Sequence, residues 1–130
     1  MKIPAELKYT KTDEWVQIDG NVATIGISDY AQSQLSDIVY FEFKVDKGEA
    51  AVKDKVVATV ESVKAAADVN APLSGKVVEL NEALNETFET INTDPFGVAW
   101  MLKVEITNPA ELSQLMDAAA YEKYCQERSH

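Results

Sequence analysis

The sequence predicts a mainly β protein: a sandwich or barrel of short antiparallel strands, with one short helix inserted and a helix towards the C-terminal end. Three observations predict it. Short runs rich in Val, Ile, Phe and Trp recur along the chain. Turn signals separate them about every ten residues. A stripe of apolar residues at helical spacing follows residue 107.

The elements follow in order. Trp15 to Ile18 and Val22 to Ile27 read as two strands joined by Asp19-Gly20-Asn21, a good hairpin loop because Gly and Asn tolerate positive φ. Ser28 to Leu35 is polar and reads as a short helix capped by Ser28. Val39, Phe41, Phe43 and Val45 alternate with Tyr40, Glu42 and Lys44, which predicts a strand with one buried face. Asp46-Lys47-Gly48-Glu49 is a turn. Val56 to Val60 is the next strand, with Val57, Thr59 and Glu61 facing away from Val56, Ala58 and Val60.

Glu61 to Asp68 contains good helix formers. It is short and lies between valine-rich stretches, so a β-turn with flanking strands is preferred. Pro72 to Gly75 forms a turn, Lys76 to Leu80 a strand, and Asn92 to Gly97 another turn region. Val98 to Ile106 closes the β part. Asn108 as N-cap, Pro109 at the first helical position and Glu111 three residues after the cap predict a helix start. Leu112, Leu115, Met116 and Ala119 then form one apolar stripe, read as packing on the sheet rather than holding a partner. No linker or composition shift divides the chain, so residues 1–130 are read as a single domain.

Composition excludes several classes. No apolar run approaches the ~18–20 residues that span a bilayer. The N-terminus lacks both the apolar stretch of a secretory signal and the arginine-rich look of a transit peptide. A cytoplasmic (bacterial) location is expected, or the mitochondrial matrix for a mature chain. The net charge is −10 and Arg128 is the only arginine, which argues against a nucleic-acid partner. That charge serves solubility alone, or steers an acidic body towards basic docking faces. The lone Cys125 cannot form an internal disulfide and suits a reducing compartment. The lone histidine is the terminal His130, a frayed position for a catalytic triad or a metal site. No phosphate-binding glycine loop is present. No catalytic residue and no metal ligand set is therefore assigned.

Lys64 remains. It sits in Glu61-Ser62-Val63-Lys64-Ala65-Ala66-Ala67-Asp68, an amine among small residues at the tip of a β element. On the residues alone it is either an ordinary solvated lysine or the attachment point of a covalent cofactor.

That run, with Ala71-Pro72-Leu73-Ser74-Gly75-Lys76-Val77-Val78 after it, resembles the lipoyl-attachment region of the glycine cleavage system H-protein family. Five further blocks resemble it in collinear order: Tyr9 to Val16, Val22 to Gln32, Asn81 to Leu84, Ile91-Asn92, and Asp94 to Gly97 with Trp100 beyond. The likeness covers about residues 7–125. It implies a barrel-sandwich hybrid of two small antiparallel sheets, like a lipoyl domain. It implies lipoate in amide linkage to Lys64, which matches the family's lysine. It implies a carrier, not an enzyme: a swinging arm that takes an aminomethyl group from glycine decarboxylase to a tetrahydrofolate-dependent aminomethyltransferase and is reoxidised by dihydrolipoamide dehydrogenase. A lipoate ligase or lipoyl transferase would attach the arm to a monomeric body. Thr12, Glu14 and Asp68 match the positions near which the family's loaded arm folds back into a cleft.

Departures from the family are few. Asp13 stands where His is common, Ser36 where Gly usually precedes Asp37, and Phe43-Lys44 where Leu-Pro is usual. Asp13 is expected to add charge beside the cleft, and Phe43-Lys44 to alter packing or continue a strand. The alternatives are a lipoyl donor in lipoate relay to other complexes, a biotin carrier, and an unmodified interaction module. Biotin carriers flank their lysine with methionines, whereas Val63 and Ala65 flank Lys64.

Overall fold

The computed structural model describes residues 1–128; the reading of His130 lies outside the described residues. Nine strands are present among them: β1 (Lys8–Tyr9), β2 (Glu14–Asp19), β3 (Val22–Ile27), β4 (Ile38–Phe43), β5 (Ala50–Ala51), β6 (Val56–Ser62), β7 (Ala66–Asn70), β8 (Gly75–Leu80) and β9 (Leu102–Ile106). The helices are α1 (Asp29–Leu35), α2 (Thr90–Thr93) and α3 (Ala118–Arg128), with 3-10 turns at Glu82–Asn85 and Pro109–Gln114. One antiparallel sheet runs β1-β2-β3-β9-β8-β5 and the other β4-β6-β7. Their inner faces share one apolar core, with Val16, Ile25, Val77 and Val104 from the first sheet and Ile38, Phe41, Val60 and Val69 from the second. The mainly β expectation, two antiparallel sheets with a short helix and a C-terminal helix, holds.

The β2–β3 hairpin forms where expected. Asp19 pairs with Val22, and Gly20 takes φ +62° in the two-residue loop. α1 is capped as read: the Ser28 hydroxyl accepts from Ala31 N–H at 3.1 Å. Lys44, standing where proline is usual, donates its N–H to Val57 O at 2.8 Å, a ladder bond proline cannot make. Phe41 and Phe43 meet edge to face at 4.8 Å.

Four expectations need correction. In β4 a bulge between Ile38 and Tyr40 breaks the period of two. Val39 is 48% exposed, while Ile38 and Phe41 point inward. A second bulge, between Val56 and Ala58, turns Val57 into the core beside Ala58 and leaves Val56 outside. The closing strand begins at Leu102, not Val98. The chain before it wraps around Asp94, whose carboxylate accepts from Val98 N–H at 2.9 Å and whose carbonyl accepts from Ala99 N–H at 3.2 Å. Local hydrogen bonds there displace the ladder.

The fourth correction concerns the C-terminal helix. Asn108 makes no side-chain cap, and the Glu111 carboxylate instead accepts from Ser74 N–H at 2.7 Å and from the Ser74 hydroxyl at 3.0 Å. The chain is extended at Leu115, and Met116 pairs with Tyr9 through two 2.8 Å backbone bonds. α3 starts afterwards, with Asp117 accepting from Ala120 N–H at 2.8 Å. The predicted stripe is thus split. Leu112 and Leu115 pack on the main core, whereas Met116 joins a second cluster of Leu7, Tyr9, Trp15, Tyr121 and Cys125.

Candidate functional site

Lys64 lies in the turn between β6 and β7, and its side chain is exposed. The turn is held from within by Ser62. Its N–H donates to Ala65 O at 2.7 Å, and its hydroxyl accepts from Ala65 N–H and donates to Ala65 O, both at 3.1 Å. Val63 N–H donates to Asp37 O at 3.1 Å, tying the tip to the start of β4. Val63 itself is 74% exposed beside the lysine. Among the described residues no carboxylate lies within ion-pairing distance of Lys64. The amine is thus presented on a fixed turn and left open to another molecule. Ser62 was not singled out from the sequence, although serine hydroxyls commonly bond nearby backbone groups in turns.

Asp68 lies on β7 opposite Thr59, four positions beyond Lys64. At ~3.3 Å per residue that is at most about 13 Å, since the path starts in the turn. Asp68 and Thr12 line one cleft of about 180 Å³, floored by Ile27, Leu35, Val60 and Val69. The cleft lies where the loop between β1 and β2 meets α1 and the β6–β7 hairpin.

Glu14 is not on the cleft wall. It is 1% exposed, at the start of β2. One carboxylate oxygen accepts from the Thr10 hydroxyl at 2.6 Å and the Thr12 hydroxyl at 2.5 Å; the other accepts from Asn70 N–H at 3.1 Å. Thr12 therefore bridges the cleft and the buried acid. Burial pushes the Glu14 carboxyl up to about 7, although the Thr10, Thr12 and Asn70 donors pull it down and the Asp13 charge adds to the rise. No Lys or Arg among the described residues pairs with it. A buried carboxylate stabilised only by neutral donors is a site where a cation is favoured. Thr10, which the sequence did not single out as a site residue, is part of this group because its hydroxyl also receives Glu14 N–H at 3.0 Å.

Asp13 lies beside the cleft as expected and lines it, but its carboxylate is not free: it accepts from the Tyr121 hydroxyl at 2.8 Å and pairs with the Arg128 guanidinium. The added charge is neutralised by α3.

The chain matches the family model described as glycine cleavage H-protein over residues 7–128. It is 53% identical over 118 residues to the glycine cleavage system H protein of Thermotoga maritima, covering 91% of this chain and 94% of that one. It is 48% identical over 122 residues to the mitochondrial glycine cleavage system H protein 2 of Arabidopsis thaliana, covering 94% and 78%. Among solved structures, a glycine cleavage system H protein from Mycobacterium marinum superposes with a TM-score of 0.81 at 29% identity, covering 98% of this chain and 100% of that one.

Proposed function

This chain belongs to the glycine cleavage H-protein family, the lipoyl carriers of glycine cleavage, and on that premise we propose that Lys64 is its lipoylated residue and that the Thr12–Asp68 cleft receives the loaded arm. The family carries lipoyl-lysine, and its members are carriers rather than catalysts. When attached, the lipoyl group would supply a disulfide that opens to leave one sulfur carrying the aminomethyl unit and the other a thiol, serving glycine decarboxylase, the tetrahydrofolate-dependent aminomethyltransferase and, as the emptied dithiol, dihydrolipoamide dehydrogenase.

The observation that carries the reading is the placement of an exposed lysine at a braced β-turn on the same hairpin as a cleft wall. The residues fit the group. Lysine stem and lipoyl chain together hold about a dozen single bonds, a reach on the order of 15 Å, which exceeds the ~13 Å that is the most that can separate Lys64 from Asp68. An exposed lysine is ordinarily an ammonium, so acylation needs an enzyme that recognises the turn, and a turn fixed by Ser62 and Asp37 supplies a constant shape. Within the cleft, apolar side chains exclude water, while Asp68, the Thr12 hydroxyl and, in its ionised form, the Glu14 carboxylate behind it favour a cationic cargo. Residues 1–130 act as one carrier domain. Among the described residues no helix is long and apolar enough to cross a membrane. We place the chain in the bacterial cytoplasm, or in the mitochondrial matrix as a mature chain, as its bacterial and mitochondrial relatives suggest.

Intact-mass measurement on protein from a lipoate-competent host tests the attachment. Wild type is expected to gain the lipoyl increment and to support glycine–bicarbonate exchange, and Lys64→Arg to gain neither. An increment that persists in Lys64→Arg, or is absent from wild type, removes Lys64 from the role.

A further inference from the structure

α3 makes a set of contacts that carriage by Lys64 does not require. The loop between β1 and β2 is closed by Thr10 N–H to Glu14 O at 3.0 Å and Asp13 N–H to Thr10 O at 3.2 Å. Its tip, Lys11 and Thr12, projects beyond these bonds. Asp13 turns the loop at φ +75°, a conformation Asp tolerates better than most residues. Three side chains of α3, spaced i, i+3 and i+7 on one face, reach across to this loop. The Tyr124 hydroxyl donates to Lys11 O at 2.9 Å, the Tyr121 hydroxyl to the Asp13 carboxylate at 2.8 Å, and Arg128 pairs with the same carboxylate.

The proton directions in this cluster are determined. A carboxylate only accepts and a phenol has one proton, so Tyr121 donates to Asp13. Ser28, 2.6 Å from the Tyr121 oxygen, must then donate to it, while its own oxygen accepts from Ala31 N–H at the start of α1. Asp13 is thus linked to α1 and α3 together. The Arg128 guanidinium lies between the rings of Tyr30 of α1, at 4.1 Å, and Tyr124, at 4.2 Å. A planar cation held between two rings and a carboxylate has one orientation, which a lysine ammonium would not reproduce.

We propose that α3 is a brace for the cleft, with Arg128 and Tyr121 as positioning residues that hold the Thr10–Asp13 loop through the Asp13 side chain and so keep the Thr12 hydroxyl between the cleft and Glu14. As far as it concerns the arm, this rests on the cleft reading above. If the latch is released, the loop swings on its backbone, Thr12 leaves Glu14, and water reaches both the acid and the cargo. The Lys64 turn belongs to the other sheet and is untouched.

Amide hydrogen exchange on unlipoylated protein reads the brace without any arm. In Arg128→Gln, the Asp13, Glu14 and Asn70 amides, which bond to Thr10 O, the Thr10 hydroxyl and Glu14, are expected to exchange about tenfold faster, the low end for loss of a charge-assisted hydrogen bond. Paired amides of β2 and β3 keep their rates. Asp13→Asn should match Arg128→Gln, and the double variant should exchange no faster than either single one. On loaded protein, hydrolysis of the aminomethyl cargo to formaldehyde and ammonia should accelerate several-fold in Arg128→Gln, with no change in the rate of Lys64 lipoylation. Equal acceleration across β2 and β3, unchanged exchange at the three amides, or single-variant effects that multiply in the double variant would each overturn the brace. Faster exchange with unchanged formaldehyde release would overturn the cleft reading instead.

Discussion

Glu14 is the residue whose environment departs most from what its type leads one to expect. Its carboxyl is raised to about 7 by burial, so between an unfolded value of ~4.5 and about 7 the folded protein binds more protons than the unfolded chain. Stability therefore falls as pH rises through this window, by on the order of 3 kcal/mol at most. Glutamine in its place would keep an acceptor for Asn70 N–H and a donor towards the threonine hydroxyls, without charge. Glu14→Gln is thus expected to be more stable than wild type at pH 8 and nearly equal to it at pH 5. Denaturant unfolding at both values measures the difference, and parallel pH profiles for the two proteins would refute it. The sequence pointed to Glu14 only through family resemblance. Nothing in Thr-Asp-Glu-Trp says that the acid is buried, because its burial depends on Asn70, 56 positions away. The turn that carries Lys64 was legible for the opposite reason. It is made by neighbours in sequence, and the choice of turn over helix for Glu61 to Asp68 needed only their length and flanks.

At the scale of elements, α1 ends on Ser36 with φ +67° and ψ −150°, a region nearly confined to glycine. This is the position where the resembling family usually has glycine. Serine there carries about 1–3 kcal/mol of backbone strain, offset in part by the ~0.4–1 kcal/mol that a glycine loses through its freer unfolded chain. Ser36→Gly is expected to stabilise the protein by about 1 kcal/mol and raise Tm by about 3 °C. A calorimetric scan checks it, and a lowered Tm would show that the hydroxyl contributes more than the backbone loses.

The C-terminal helix was misplaced because its local signals are genuine but outcompeted. Glu111 finds Ser74 instead of a cap partner, and Met116 finds Tyr9 instead of a helical turn. Both partners come from distant segments. α3 was hidden because its buried residues, Tyr121 and Cys125, are few, and its role is to hold polar groups rather than to bury a stripe.

For the molecule as a whole, the sequence shows that many strands exist and where they turn, but not which ones pair. Joining β3 to β9 and β5 to β8 needs contacts between chain segments with no shared local signal. The two bulges changed which valines face the core for the same reason. The charge of −10 is a property of the whole surface. If it steers the body towards basic faces, association with each partner enzyme should slow about tenfold as salt rises from roughly 50 to 300 mM. Stopped-flow association rates at graded ionic strength decide this; a flat dependence would leave the charge to solubility.

The bulge in β4 has one more consequence. β4 is an outer strand of its sheet, and outer strands offer a template on which another copy of the chain can be laid down. With Val39 and Tyr40 exposed there, a straight strand would be an open invitation to stack copy on copy. The extra residue breaks the row of donors and acceptors and increases the local twist. The edge of a carrier is thereby made a poor template for a second copy of itself.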